Sequence, residues 1–256
     1  MGKSLKSIAQ IRQEFDLACE KEWDALIERY EQDTRSGVQG IIQRYKKKKD
    51  ILNKERHRLE AMRRFEHEYE HLGFVCGIDE AGRGPLAGPV VAGAVILPKD
   101  CEILWLNDSK QLSEKKREEL YEVIMEKAVA AAVGMVSPAR IDEINILQAT
   151  YEAMREAVRK LSVYPQILLN DAVMIPQMEI PQVPIVKGDA QSLSIAAASV
   201  IAKVTRDRLM REYDKALPQY GFAGHKGYGT AAHIEAIRKY GPSPIHRQSF
   251  IKNFTV

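Results

Sequence analysis

Apolar residues recur along this chain at two different periods, and the period changes near residue 72. Before that point the spacing is helical. Ile8, Ile11, Phe15 and Ala18, then Trp23, Leu26, Ile27 and Tyr30, fall three to four residues apart, which predicts one or two amphipathic helices. Asp33-Thr-Arg-Ser-Gly37 interrupts the pattern with turn-forming residues. Val38, Ile41, Ile42 and Tyr45 restart it, and Leu52, Leu59, Met62, Phe65 and Tyr69 carry it on, with no Gly or Pro between 41 and 72. This predicts one long helix or two abutting ones.

After residue 72 short apolar runs alternate with helical patterns. Runs at 74–79, 89–97, 130–136, 166–171 and 183–189 read as strands, bounded by Gly, Pro or Asp. Between and after them, helices are predicted over 114–127 with Ser113 as N-cap, from Ser137-Pro138 toward Leu161, over 192–217, and from about Thr230 to Tyr240, where Gly241-Pro242 stops the last one. The first half of the 192–217 segment is rich in Ala and Ser, small residues that let a helix lie close on a sheet. Strands alternating with helices predict an α/β domain with a mixed sheet. The expected division is an all-helical extension over 1–72 and an α/β domain over 73–256.

Composition narrows the class. A chain of 256 residues accommodates one large domain with a smaller appendage. No apolar run is long enough to span a bilayer. The opening Met1-Gly-Lys-Ser-Leu-Lys-Ser-Ile lacks an apolar leader core and does not fit a myristoylation site. The three cysteines, Cys19, Cys76 and Cys101, lack metal-ligand spacing, which suits a reducing compartment. A cytoplasmic location, no membrane contact and a monomer are expected. The net charge of +3 says little, but its distribution is lopsided: from Arg35 to Arg64 there are 11 Lys or Arg against 3 acids, with Lys46–Lys49 at the centre. Nucleic acid suits such a stripe. A solvated helix face is the more economical account of a lone charge run, and an anionic membrane ranks below both because no Trp/Phe/Leu face accompanies it.

The chemistry points to Gly77-Ile-Asp-Glu-Ala-Gly-Arg-Gly84. Asp79 and Glu80 close a short apolar run, and two glycines bracketing Arg83 follow. Arg83-Gly84 stands where a Walker A loop needs Lys-Ser/Thr, and the glycine spacing misses the dinucleotide fingerprint, so neither motif applies. The runs at 166–171 and 183–189 also end in aspartates, Asp171 and Asp189. Gathered at neighbouring strand ends, four carboxylates repel one another and call for cations, and hard oxygen donors suit Mg²⁺ or Mn²⁺. Plain turn-forming aspartates are the alternative.

With these motifs stated, residues 74–250 closely resemble ribonuclease HII, the type 2 ribonuclease H family. The resemblance is carried by the octapeptide, Asp108-Ser-Lys-Gln-Leu-Ser113, Leu168-Leu-Asn-Asp171, Val186-Lys-Gly-Asp189, Ser194-Ile-Ala-Ala-Ala-Ser-Val-Ile-Ala-Lys-Val-Thr-Arg-Asp207 and His225-Lys-Gly-Tyr-Gly-Thr230, in the family's order and spacing. The basic extension resembles that of Gram-positive members. The resemblance implies a ribonuclease H-like mixed five-stranded sheet flanked by helices. It implies a metal-dependent endoribonuclease with two Mg²⁺ or Mn²⁺ ions held by Asp79, Glu80, Asp171 and Asp189. The implied substrates are RNA–DNA hybrids and duplex DNA containing ribonucleotides, cut 5′ of a ribonucleotide to leave 3′-hydroxyl and 5′-phosphate ends. It further implies that Gly82, Arg83 and Gly84 read the ribose 2′-hydroxyl, that Tyr228 stacks on the next sugar, and that Lys110, Lys187, Ser192, Lys203 and Lys226 lie near phosphates. The alternatives are a ribonuclease HIII-like specificity for hybrids only, against which the Gly82-Arg-Gly84 loop argues, and a non-catalytic nucleic-acid-binding protein.

One residue departs from the expected pattern. Asn170 stands where an apolar strand residue belongs, and it needs a hydrogen-bond partner if it faces the core. His225, His233 and His246 lack zinc spacing and read as structural residues or phosphate contacts. Cys76 reads as a small buried hydrophobe.

Overall fold

The computed structural model describes residues 6–254; the expectation about a leader falls mainly on residues 1–5, outside them. By internal packing the chain forms two compact units, Met1–Arg58 and Leu59–Val256. Among the described residues no helix is long and apolar enough to cross a membrane.

In the first unit, α1 (Ile8–Leu17), α2 (Trp23–Tyr30) and the first part of α3 (Ser36–Met62) bury the periodic residues Ile11, Phe15, Trp23, Leu26, Ile27, Val38, Ile41, Ile42 and Tyr45 in one core. Ser7 and Gln10 form a reciprocal capping box that starts α1. The Tyr45 ring lies 4.8 Å from Phe15 and 5.1 Å from Trp23. The acids of the first helices meet the basic stripe. Glu31 pairs with Lys46, Asp24 with Lys49, Glu20 with Arg56 and Asp33 with Arg35, while Glu55 pairs with Arg58. Part of the lopsided charge is thus an internal complementarity of this unit.

The second unit begins inside α3. The α4 helix (Arg64–Tyr69) follows after a break at Arg63, so the abutting pair of helices is what forms. Five strands follow: β1 (Val75–Ala81), β2 (Val90–Ile96), β3 (Ala130–Val136), β4 (Ile167–Asp171) and β5 (Gln182–Ile185). They lie in the order β3-β2-β1-β4-β5. The first three pair antiparallel, and β1, β4 and β5 run parallel. The mixed five-stranded sheet expected from the resemblance is present. The helices α5 (Glu114–Lys127), α6 (Pro138–Arg159), α7 (Leu193–Ala216), α8 (Phe222–His225), α9 (Ala231–Tyr240) and α10 (Gln248–Ile251) complete the unit. The hydroxyls of Ser113, Ser137, Ser192 and Thr230 accept the first free amides of α5, α6, α7 and α9.

Strand periodicity sorts the sheet's faces. Cys76, Ile78 and Leu168 point into a core with α6, where Ile141, Ala149, Ala153 and Ala157 meet them. The alternate residues face α7, as Val75, Ile167 and Leu169 do against Ile195. The α7 helix comes so close that a Cβ added at Gly77 would strike the Ser194 backbone, and one at Gly93 the Ala198 backbone. The Ala/Ser run and these two glycines together permit that approach.

Three boundaries differ from the sequence expectation. First, β1 continues past Asp79 to Ala81, because β2 is long enough to pair Glu80 with Ala92 and Ala81 with Val91. Second, α6 is interrupted at Asn145 (φ 66°, ψ 164°); the side-chain oxygen accepts the amides of Leu147 and Gln148, so Asn145 caps the helix that follows it. Third, β5 stops at Ile185, four residues before Asp189. It is an edge strand whose pairing with β4 ends at Asp171–Ile185. Lys187 then adopts a left-handed conformation (φ 55°) that turns the chain into a 3₁₀ turn, Gly188–Ala190. Asp189 therefore belongs to that turn and not to a strand end.

Candidate active site

Parallel pairing of β1 with β4 brings their carboxyl ends side by side. Asp79 and Asp171 share the face that α7 covers, by the alternation just described, and Glu80 projects at the same edge. The turn carrying Asp189 returns to them, since the Gly188 amide donates to Asp171 Oδ1 at 2.7 Å. The carboxylates on this edge feel one another. Burial pushes the Asp79 carboxyl well above the usual carboxylate range, the charges of Glu80 and Asp171 add to the shift, and the hydrogen bond from the Glu80 amide opposes it. Burial raises Glu80 against the opposing charge of Arg83. Burial also raises Asp171 against the Gly188 amide, with Asp189 adding to the shift. Asp79 Oδ1 accepts the Glu80 amide at 2.7 Å, whereas its Oδ2 is buried with no hydrogen-bond partner.

Two cations already answer this charge. Lys110, on the 3₁₀ turn Ser109–Gln111 that Asp108 caps, donates to Asp189 Oδ2 at 3.1 Å and lies 3.7 Å from Asp108. Burial would lower the Lys110 ammonium, but its bond to Asp189 and the acids around it raise it instead. Arg83 reaches Glu80 at 3.3 Å. Among the described residues, no three His, Cys, Asp or Glu side chains form a finished metal cage. The donor chemistry nonetheless fits a hard divalent cation: all four groups are carboxylates, three are held protonation-prone by burial, and one oxygen of Asp79 is orphaned.

Beside the carboxylates, Gly82-Arg83-Gly84 leaves β1. Gly82 has φ +92°, and a Cβ there would run into the Arg206 side chain, so this position requires glycine twice over. A Cβ on Gly84 would stand 3.9 Å from the Tyr228 ring. The glycine loop and Tyr228 are therefore neighbours, and the Tyr228 ring is exposed.

The remaining sequence-expected residues divide. Lys110 and Lys187 are exposed beside Asp189. Ser192 is fully buried: its hydroxyl caps α7 and donates to Glu66 Oε1 at 2.5 Å, so it turns into the fold. Lys203 pairs with Asp207 at 2.6 Å on α7, and burial lowers its ammonium. The Lys226 ammonium is buried against Ala223 O and lies 3.8 Å from Glu114. Its backbone is placed at the glycine loop while its charge points inward. A cavity of about 570 Å³ lined by Phe74, Val75, Leu97, Val129, Tyr164 and Gln166 lies at the opposite, amino-terminal end of β1 and β4, and none of the carboxylates lines it.

The histidines are structural, one of the two readings open from the sequence. His246 Nδ1 accepts from the Ser243 amide at 2.8 Å, which leaves its Nε2–H to donate to His233 Nε2 at 3.0 Å. His233 Nδ1–H then donates to Tyr228 O at 2.9 Å. Each bond fixes the tautomer of the next ring, and the series ends on the backbone of Tyr228. Burial lowers both His233 and His246, the latter to about 4 with help from His233. Sequence reasoning did not single out Arg206 and Arg247, both fully buried.

Compared with known proteins, the chain matches the family model for ribonuclease HII over residues 76–253 and that for the ribonuclease HII N-terminal domain over residues 7–70. The ribonuclease HII of Lachnoclostridium phytofermentans is 60% identical over 97% of this chain and 98% of its own length. That of Clostridioides difficile is 52% identical over 97% and 98%. Among solved structures, ribonuclease H2 from Pyrococcus horikoshii aligns with a TM-score of 0.60 at 31% identity, covering 71% of this chain and 96% of its own. The ribonuclease HII of a PCNA complex from Archaeoglobus fulgidus gives 0.58 at 28%, covering 70% and 96%.

Proposed function

This chain belongs to the ribonuclease HII family, and from that premise we propose that it hydrolyses the phosphodiester 5′ of ribonucleotides, both in RNA–DNA hybrids and at single ribonucleotides within duplex DNA. The observation that carries this reading is the adjacency of Asp79, Glu80 and Asp171 to a glycine loop that neighbours Tyr228. One edge of the sheet then offers chemistry and sugar recognition together.

Asp79, Glu80, Asp171 and Asp189 would hold Mg²⁺ or Mn²⁺. When bound, such ions supply an activated water and charge stabilisation for the leaving oxygen. The chain's own part is positional. The Glu80 amide holds Asp79, and the Gly188 amide fixes Asp171. Lys110 and Arg83 hold Asp189 and Glu80 in the absence of other cations and can turn outward to phosphates. The amides of the Gly82–Gly84 loop offer donors to a 2′-hydroxyl, the group that separates RNA from DNA, and the Tyr228 ring gives the following sugar an apolar wall. Reading sugar and backbone leaves base identity unread, so cleavage is indifferent to sequence. Water adds to phosphorus and the 3′-oxygen departs, giving a 3′-hydroxyl and a 5′-phosphate.

A DNA duplex with one embedded ribonucleotide tests this with Mg²⁺, with Mn²⁺ and with EDTA. A single nick 5′ of the ribonucleotide in either metal, abolished by EDTA, is expected. Intact duplex in both metals, with folded protein, rejects the reading. Cleavage of an RNA–DNA hybrid alone would restrict it to hybrids.

A further inference from the structure

Two buried guanidiniums sit behind the glycine loop, and each donates three hydrogen bonds to backbone carbonyls. Arg247 donates from Nε to Gly88 O at 2.9 Å, from Nη1 to Arg83 O at 2.8 Å and from Nη2 to Gly82 O at 2.5 Å. Arg206 donates from Nε to Pro89 O at 3.0 Å, from Nη1 to Lys226 O at 2.9 Å and from Nη2 to Ala87 O at 2.9 Å. Arg247 is 0% and Arg206 1% exposed. Among the described residues neither has a carboxylate within ion-pair distance; their acceptors are all carbonyls.

A buried cation without a counter-ion is expensive, so a role that needs only packing would favour an apolar side chain. The planar fork does something a hydrocarbon cannot: it turns several carbonyls toward one point. In a trans peptide the C=O of one residue and the N–H of the next point in opposite directions. Drawing the Gly82 and Arg83 carbonyls onto Arg247 therefore aims the Arg83 and Gly84 amides away from it. Among the described residues neither amide finds an acceptor in the chain. A cation on the carbonyl side also polarises the peptide and strengthens the opposite N–H as a donor. Arg206 does the same for the neighbouring segment and, through Lys226 O, ties it to the turn that carries Tyr228.

The geometry points to Arg247 and Arg206 as positioning residues for sugar recognition: together they form a clamp that holds the Arg83 and Gly84 amides as free donors beside Tyr228. This deepens the proposed reading of the loop and rests on it. Neither arginine touches substrate, and each acts through backbone.

The test uses the full chain with Asp79→Asn, so that nothing is cut, and compares the dissociation constants for a duplex bearing one ribonucleotide and for the all-deoxy duplex of the same sequence. Their ratio does not depend on the fraction of protein folded. Arg247→Met is expected to bring the ratio down by roughly tenfold, the worth of one or two lost hydrogen bonds, with the all-deoxy affinity unchanged. Arg247→Lys keeps the charge but not the fork and should fall between; if Arg247→Met does not fold, Arg247→Lys must still lower the ratio. Amide exchange supplies a readout without substrate: protection should fall at the Leu86 and Gly88 amides, which bond Gly227 O and Ile245 O, while β2 and β4 stay protected. An unchanged ratio in folded Arg247→Met, or equal loss of both affinities, overturns the proposal. If Asp79→Asn itself shows no preference for the ribonucleotide, the reading of the loop falls and the clamp's link to sugar falls with it, while unaltered exchange at Leu86 and Gly88 in Arg247→Met would refute the clamp on its own.

Discussion

Asn170 and Gln182 face each other across β4 and β5, with Asn170 Nδ2 donating to Gln182 Oε1 at 2.7 Å and to Val173 O at 3.1 Å. Gln182 in turn closes on Ile175, accepting its amide at 2.8 Å and donating to its carbonyl at 2.9 Å. Asn170 is fully buried, and its Oδ1 has no partner. The polar residue that interrupts an apolar strand thus ties the β4–β5 connection to the strands themselves. Asn170→Asp would set a carboxylate against two acceptors and should lose roughly 2–3 kcal/mol. Asn170→Leu also removes the orphaned oxygen and leaves Gln182 bonded to Ile175, so it should lose less, about 1 kcal/mol. Urea unfolding of the two variants orders them; the reverse order would refute this account.

Asp79→Asn should abolish cleavage and raise stability together. A carboxyl whose folded pKa is raised is destabilising once it ionises, so its contribution worsens as pH climbs past the ordinary carboxylate range. Asn removes that ionisation at pH 7. A melting temperature about 3 °C or more above wild type without added metal is the expected result, and an unchanged or lower one counts against a strained Asp79.

Divalent cations should reverse the same strain. Mg²⁺ or Mn²⁺ added to metal-free protein should raise the melting temperature by roughly 5 °C at a hundredfold excess over Kd, and EDTA should remove the gain. Asp79→Asn and Asp171→Asn should blunt the response. An equal shift in both variants would place the ion elsewhere.

The histidine series predicts a pH dependence of opposite sign. His246 has a folded pKa near 4, below its ordinary value, and His233 is lowered as well. The unfolded chain therefore takes up these protons first. The stability contributed is complete above pH 6.5 and is lost as pH falls toward 4. The loss due to His246 should be on the order of 2 kcal/mol, partly offset where Asp79, Glu80 and Asp171 protonate. Comparing the slope of unfolding free energy over this window in wild type and His246→Gln isolates it; parallel slopes would refute it.

Removing residues 1–58 tests the extension as a second grip on duplex. At least five of the eleven cations between Arg35 and Arg64 are paired with acids. The truncated enzyme should show a KM raised only a few-fold, a shallower dependence of KM on salt, and nearly unchanged turnover, with a slope change well short of eleven charges. The cut belongs before α4. Glu66 accepts hydrogen bonds from Ser192 Oγ, Ser194 Oγ and the Ser194 amide, so a cut at residue 72 would uncap α7, the helix that covers Asp79. Salt dependence identical to that of the full chain rejects the second grip.

Much of this was legible where local chemistry decides the outcome. The span of β3, the whole of α5 and the caps Ser113, Ser137 and Thr230 follow from periodicity and turn residues, because those elements answer to their own sequence. Asp189 shows the limit. Its apolar run looks like a strand to the end, but an edge strand lasts only as long as its neighbour, and the left-handed turn at Lys187 gives no sign in a residue type that rarely adopts it. Arg247 was unreadable for another reason: its acceptors are the backbone carbonyls of Gly82, Arg83 and Gly88, far away along the chain, which sequence spacing does not encode.

The crowding behind Gly82 bears on how variation in this loop is to be interpreted. Any side chain there collides with Arg206, whereas one at Gly84 would make only ordinary contact with Tyr228. In a saturation scan scored by survival, depletion at Gly82 would report on foldability and depletion at Gly84 on substrate. The two glycines, identical on paper, would carry different information, and a tally of intolerance alone would merge them.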